Sequence, residues 1–461
     1  MAEPASLLEH LRFGYGPKAS DVVVLGGVAA GGVAAGGVAV GGVDPDRVLA
    51  QLTADDPAAA AWARPGLAER DAAQAQAKRE KAAGMDPKQR ISFRYKVVEA
   101  DDIESFVSRP AVSDLGFVER LVNLWANRLT ISDVSGGVMH YVASYRDEAI
   151  RPHIAGRFAD LLRASIWHPG MQVYLSQTSS VGPRSGYGIA KKRGLNENLA
   201  REFLELHSMG SGFTQGDVTE LARLLAGMQV RPGGPAMDHR AIEPGVKVIL
   251  GTTYRDDDPV AEINRLVDTV ALRPETAGSV AFMLARHFIA DTPPDDLVQA
   301  LTRSYRATGG ALVALYDVLL RHPAAQDPVL HKLRSPQEFI AASLRALGLQ
   351  GQERGLVGRM KKTLLVPQAL SRMGQPVFRA RRPDGWPEVA AGWMTPPMMA
   401  ARIDWAVDLG RGLGAASDPA ALARHVLGDH AGPALHRAVA AAEQRWEGLA
   451  VLLAAPDFMR R

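Results

Sequence analysis

In Asn196-Glu197-Asn198-Leu199-Ala200-Arg201-Glu202-Phe203-Leu204-Glu205-Leu206-His207-Ser208-Met209-Gly210, charge, amide and helix periodicity coincide as nowhere else in the chain. At about 100° per residue, Glu197, Asn198, Arg201, Glu202, Glu205 and Ser208 share one broad side, and Leu199, Phe203, Leu204, Leu206 and His207 share the other. That periodicity predicts an amphipathic helix. Asn196 can accept from the orphan N–H groups at its start, and Gly210 can take the left-handed conformation that closes it. Thr214 caps a second helix through Leu221, Leu224 and Leu225, so the two form a helical hairpin.

Outward from this hairpin, helical spacing recurs over 46–51, 58–83, 89–108, 115–127, 150–166, 263–270, 277–288, 297–305, 311–320, 336–347, 353–373 and 420–452. Pro and Gly punctuate these runs, as at Pro65-Gly66, Arg273-Pro274, Thr292-Pro293-Pro294 and Arg321-His322-Pro323. Only 231–251 reads as extended, around Val246-Lys247-Val248-Ile249-Leu250. The expected fold is therefore mainly α, a multi-helix assembly of packed helical hairpins with a small β-hairpin around 230–251. The expected organisation is an N-terminal helix and turn over 1–25, a linker over 26–44, and a single large helical domain over 45–461, with a sub-boundary near 252–275. The linker reading rests on a tandem Gly-Gly-Val-Ala-Ala pentapeptide. Its glycines follow the repeat, and no basic or acidic partner for a nucleotide accompanies them.

The 461 residues include 53 basic and 50 acidic side chains, and 47% are hydrophobic. A net charge of +3 supplies no field for nucleic acid, and no apolar run marks a membrane span. Absent cysteine excludes disulfides, thiolate metal sites and a Cys nucleophile. Met1-Ala2-Glu3-Pro4-Ala5-Ser6 carries no basic region leading into an apolar run, which reads as cytoplasmic, although a processed exported chain would read the same.

The polar helix face is the candidate site. Glu197, Arg201 and Glu205 stand at i, i+4 and i+8, so one guanidinium can hold two carboxylates ionised for acid/base work. Asn198 and Glu202 would orient a polar substrate, and Arg151, His153 and Trp386 are further substrate-binding candidates, Trp386 by stacking on a sugar ring. The bland alternatives are a structural polar network, capping support for Arg151 and His153, and a core plug for Trp386. No cofactor is expected and no residue is assigned as a metal ligand. The alternative is a divalent cation shared by Glu202 and Glu205, with His207 turned to the apolar side. Ser208 lacks a nucleophile elbow. Basic residues Arg184, Lys191, Lys192 and Arg193 near the helix start invite an anion or pair with Glu197 and Glu202.

Phe13-Gly14-Tyr15-Gly16-Pro17, Trp125-Ala126-Asn127-Arg128, Ile150-Arg151-Pro152-His153, the Asn196–Gly210 stretch, Gly374-Gln375-Pro376 and Gly385-Trp386-Pro387 occur in the order seen in a bacterial family catalogued as domain of unknown function 1800. The chain resembles that family over nearly its whole length. The resemblance implies no established reaction. It does imply an export tendency and a sulfatase-related companion protein as partner. Similar sequences usually show His where Ala126 and Arg128 stand, and His-Asp-Pro-Gly where this chain has Ile242-Glu243-Pro244-Gly245. Two functions follow as expectations. One is a hydrolase or lyase acting on a polar polymer such as a polysaccharide through Glu197, Glu205 and Arg201. The other is a non-catalytic binding or assembly protein working with that companion.

Overall fold

The computed structural model describes residues 6–19, 42–86, 88–89, 91–230, 236–349, 366–414 and 418–461. The Gly-Val-Ala repeat lies outside the described residues except for its last three positions, and so do residues 353–365 of the 353–373 segment. The structure is 63% helical, with two small antiparallel sheets among the described residues, so the mainly α expectation holds. The expected hairpin is in fact two. Met228–Gln229 pairs with Ala236–Met237, and Lys247–Ile249 pairs with Thr252–Tyr254, the second running past the expected limit. Leu250 and Gly251 both take positive φ, which turns the chain sharply enough to extend the pairing.

Helix starts follow local chemistry. Pro45, Pro57, Pro259, Pro336 and Pro419 each open a helix directly after Asp44, Asp56, Asp258, Ser335 and Asp418, whose side chains accept from the first free N–H groups. Proline sits there because its missing N–H would have no helical partner anyway, and its fixed φ is already helical.

The core is organised on the helix Gly116–Arg128, which buries Phe117, Leu121, Val122, Leu124 and Trp125. Phe117 meets Phe13, Phe288 and Tyr316 with ring centroids 5.5–6.0 Å apart. The Trp125 indole donates to the Tyr316 hydroxyl at 2.8 Å, which donates to Ile154 O at 2.8 Å, so the polar atoms of this aromatic cluster are satisfied. Gly116 is required by proximity, because a Cβ there would lie 2.9 Å from Gly14 Cα. The last residues run antiparallel to 332–334: Lys332 and Arg461 exchange backbone bonds at 3.1 and 2.9 Å, and Arg334 N–H donates to Met459 O. This pairing carries the Arg461 side chain into the interior.

The Asn196–Gly210 stretch is α-helical only over Asn198–Glu202 and continues as a π-helix over Phe203–Ser208. Asn196 Oδ1 accepts the Asn198 N–H at 2.9 Å, and Gly210 closes the segment at φ +80°. Leu199, Phe203, Leu204 and His207 are buried as the periodicity predicts. Wider i→i+5 turns begin at Phe203, however, so the 100° spacing does not carry through to Glu205.

Candidate functional site

Arg201 reaches Glu197 at 3.3 Å and Gln215 at 2.8 Å, and the Glu197 carboxylate also accepts from Gln215 at 2.9 Å and Thr219 at 2.8 Å. This network ties the segment to the helix Gln215–Leu225. Glu205 is exposed and forms no ion pair with Arg201, because the π-turn rotates it off the stripe. Asn198 is exposed. Glu202 is half-buried, and its carboxyl is pushed up by burial and then by Glu205, with Asp384 adding to the rise against Arg201. Removing Glu197 as Glu197→Ala leaves three donors without their acceptor and is expected to cost about 1–2 kcal/mol in urea unfolding. Glu205→Gln should stay within about 0.5 kcal/mol. Equal effects would contradict the network.

The other candidates separate. Arg151 forks onto Glu119 at 2.7 and 3.0 Å and reaches Asp147 at 3.2 Å, so its donors are committed. His153 lies half-buried near Asp160 and Arg163, and burial lowers its pKa. Arg184 is taken by Glu243 at 2.6 Å rather than by Glu197 or Glu202. Among the described residues, no group of three or more His, Cys, Asp or Glu side chains could hold a metal ion, and no helix is long and apolar enough to cross a membrane.

Trp386 is different: it lines a half-open cavity of about 90 Å³. Distant parts of the chain meet there. The helix Gly116–Arg128 contributes Asn123, Ala126 and Asn127, and the π-helix Tyr145–Ile150 contributes Tyr145 and Arg146. His287 comes from the end of the helix Pro274–Phe288, and Gln337 and Glu338 from the first turn of Pro336–Ala346. The irregular segment after Met373 gives Gln375, Phe378, Trp386, Glu388 and Trp393, and Arg461 closes one side.

Asn127 is the clasp. Its Oδ1 accepts the Trp386 N–H at 2.7 Å, and its Nδ2 donates to Trp386 O and to Glu388 Oε1, both at 3.0 Å. Gly385 precedes this clasp at φ +79°, where any Cβ would lie 2.5 Å from Asn127 O. Only glycine satisfies both conditions. Trp393 is buried beneath, its indole donating to Pro387 O at 2.9 Å and its ring 6.1 Å from that of Trp386. Trp386 thus presents a braced aromatic wall.

His287 Nδ1 lies 2.7 Å from Glu388 Oε2, and its Nε2 lies 3.0 Å from Arg120 Nη2. Arginine can only donate, so Nε2 holds the lone pair and the ring proton is on Nδ1, facing Glu388. Burial lowers the His287 pKa to about 4, overriding the rise that Glu388 causes, with Arg461 and Arg120 adding to the fall, so the ring is neutral at pH 7. Burial pushes the Glu388 carboxyl up, but His287, Lys332 and Arg461 bring it down to about 2. Glu338, buried among Arg461, Arg120 and His287, lies far below the usual carboxylate range despite the opposing effect of burial. Arg461 and Arg120 each reach it at 3.1 Å.

Of these residues, the sequence offered Trp386 and Trp393 as stacking candidates and assigned only Trp386 to substrate binding. Asn127, Gln375 and Tyr15, whose hydroxyl accepts from Asn123, belong to quoted motif stretches, so the motifs carried a signal that helix periodicity did not. The stretches that hold Asn127, Gln375 and Trp386 converge on the cavity, with Tyr15 behind Asn123, whereas Glu197, Arg201 and Glu205 are not among the residues lining it. Ala126, where similar sequences usually have His, is on its wall, and Arg128 turns away to Ser208 O and Ser279. No curated protein and no solved structure matches the chain. The model of the family described as "Protein of unknown function (DUF1800)" matches residues 10–460, and the chain belongs to that family.

Proposed function

We propose that the protein binds a polar, ring-bearing ligand, such as a segment of a polysaccharide, in the Trp386 cavity, and that binding rather than turnover is its role there. The observation that carries this reading is the braced Trp386 wall standing beside the polar groups of Gln375 and Glu388, with Asn127 holding Trp386 and Glu388 in place. A flat apolar face with a few fixed polar partners is how sugar rings are held. Cleavage of a glycosidic bond needs a carboxylic acid that keeps its proton near neutral pH. Glu338 and Glu388 are both ionised there, and the His287 lone pair is engaged by Arg120. This supports binding over hydrolysis at this cavity.

The rival reading keeps a hydrolase or lyase on the helix face. It draws support from Glu202, whose carboxyl is held up beside Glu205. Calorimetric titration with a panel of oligosaccharides separates the two. Trp386→Ala leaves the backbone clasp to Asn127 in place, so the expected result is an unchanged melting temperature with affinity weakened about tenfold or more. Wild-type protein that binds no oligosaccharide, or a Trp386→Ala protein that binds as well as wild type, would overturn the proposal.

A further inference from the structure

We infer that the ligand carries an oxyanion, a carboxylate or a sulfate ester, and that Arg146 receives it. This rests on the binding reading above and specifies the ligand's chemistry. Arg146 stands on the π-helix Tyr145–Ile150, a rare backbone form that often marks functional sites. Around it, two carboxylates serve two other guanidiniums. Glu119 is held by Arg151 at 2.7 and 3.0 Å and by Arg109 at 3.2 Å, while Asp147 is held by Arg109 at 3.3 Å and Arg151 at 3.2 Å. Arg146 is the third cation and has no carboxylate of its own at ion-pairing distance among the described residues. Its contacts are a hydrogen bond to Asn123 Oδ1 and the Phe106 ring, 5.1 Å from the guanidinium carbon.

The same guanidinium lines the Trp386 cavity and also the cleft that holds Arg109, Glu119, Asp147 and Arg151. The other charged groups on the main cavity wall are engaged: Arg461 with Glu338, and Glu388 with His287 and Asn127. A partly desolvated guanidinium that Asp147 and Glu119 act on only from beyond ion-pairing distance gains most from an oxyanion, whose two oxygens match its planar fork. Asn123, which holds Arg146, and Asn127, which holds Glu388, are one helical turn apart, a rise of about 6 Å. The cavity therefore offers a cationic group at one level and a carboxylate one turn away, with Trp386 hydrogen-bonded at the Glu388 level. An acidic sugar unit suits this spacing, its oxyanion toward Arg146 and its hydroxyl donors toward Glu388.

The test is calorimetric titration of the full chain with three probes: a trigalacturonate, the same trisaccharide after carboxyl reduction, and an O-sulfated form of the reduced trisaccharide. The expected result is that the uronate or the sulfated probe binds at least about tenfold more tightly than the reduced one, and that the gap closes in Arg146→Gln while Arg146→Lys keeps part of it. Equal binding of charged and reduced probes would overturn the oxyanion assignment and leave the binding reading standing. A preference that survives in Arg146→Gln would overturn the role of Arg146. Binding of none of the probes would overturn both. The comparison of probes on the wild-type protein needs no variant, so a misfolded Arg146→Gln does not block the test.

Discussion

Glu338→Ala is expected to cost about 3–5 kcal/mol of folding free energy, the largest effect of any single substitution around the cavity. Glu338 is the buried carboxylate to which Arg120 and Arg461 both bind, and the buried Arg334 and Arg402 also lie within its field. It accepts the Ser335 N–H at 2.8 Å as well, completing the capping box of the helix Pro336–Ala346. Alanine leaves guanidiniums buried with no counter-charge and removes half of the cap. Urea unfolding should show the loss, or the variant should fail to accumulate as folded protein. Glu338→Gln, which keeps an acceptor but no charge, should lie between. A Glu338→Ala protein within about 1 kcal/mol of wild type would show that the arginine cluster does not depend on this carboxylate.

Acid should unfold the protein early. His168, His207 and His287 are all buried, and burial lowers their pKa values to about 4, about 3 and about 4. An unfolded chain titrates histidine near 6.5, so below that pH the unfolded state binds protons that the folded state refuses. The stability from neutral burial is complete above about pH 6.5 and is lost as pH falls through the folded values. At about 1.4 kcal/mol per pH unit for each group, roughly 2 kcal/mol per histidine is gone by pH 5. For a chain of this length the melting temperature should fall by roughly 5–10 °C between pH 7 and pH 5. Glu338 and Glu388, with pKa values below their unfolded values, extend the loss below about pH 4.5. A flat melting temperature from pH 7 to pH 5 would contradict the neutral, buried state of these rings.

The fold is readable in the sequence wherever a local rule decides it. The Asp-Pro and Ser-Pro helix starts, the capping box at Thr214 and Asp217, and the buried side of the Asn196–Gly210 stretch all follow from spacing of four residues or fewer. What spacing does not reveal is the change from α to π winding at Phe203, which depends on how Phe203, Leu204 and His207 pack into the interior. That change breaks the Glu197, Arg201, Glu205 ladder on which the first site expectation rests. The cavity escapes local reading for a different reason: its partners are far apart in the chain. Asn127 and Glu388 are 261 residues apart, Arg120 and His287 167, and His287 and Glu388 101. His287 also lies on the mostly apolar, buried side of its helix, where periodicity marks it only as core. Trp386 is the exception because Gly and Pro flank it in a segment too irregular for a helix or strand. Such segments present side chains more often than they pack them.

The central claim is that the cavity walled by Trp386, and not the Glu197–Glu205 face, holds the ligand. Hydrogen exchange of backbone amides, followed by mass spectrometry with and without a bound oligosaccharide, locates the ligand most directly. The account predicts slowed exchange over 385–388 and 123–127, with 197–205 unchanged. Slowed exchange over 197–205 with none at 385–388 would contradict it and return the site to the helix face.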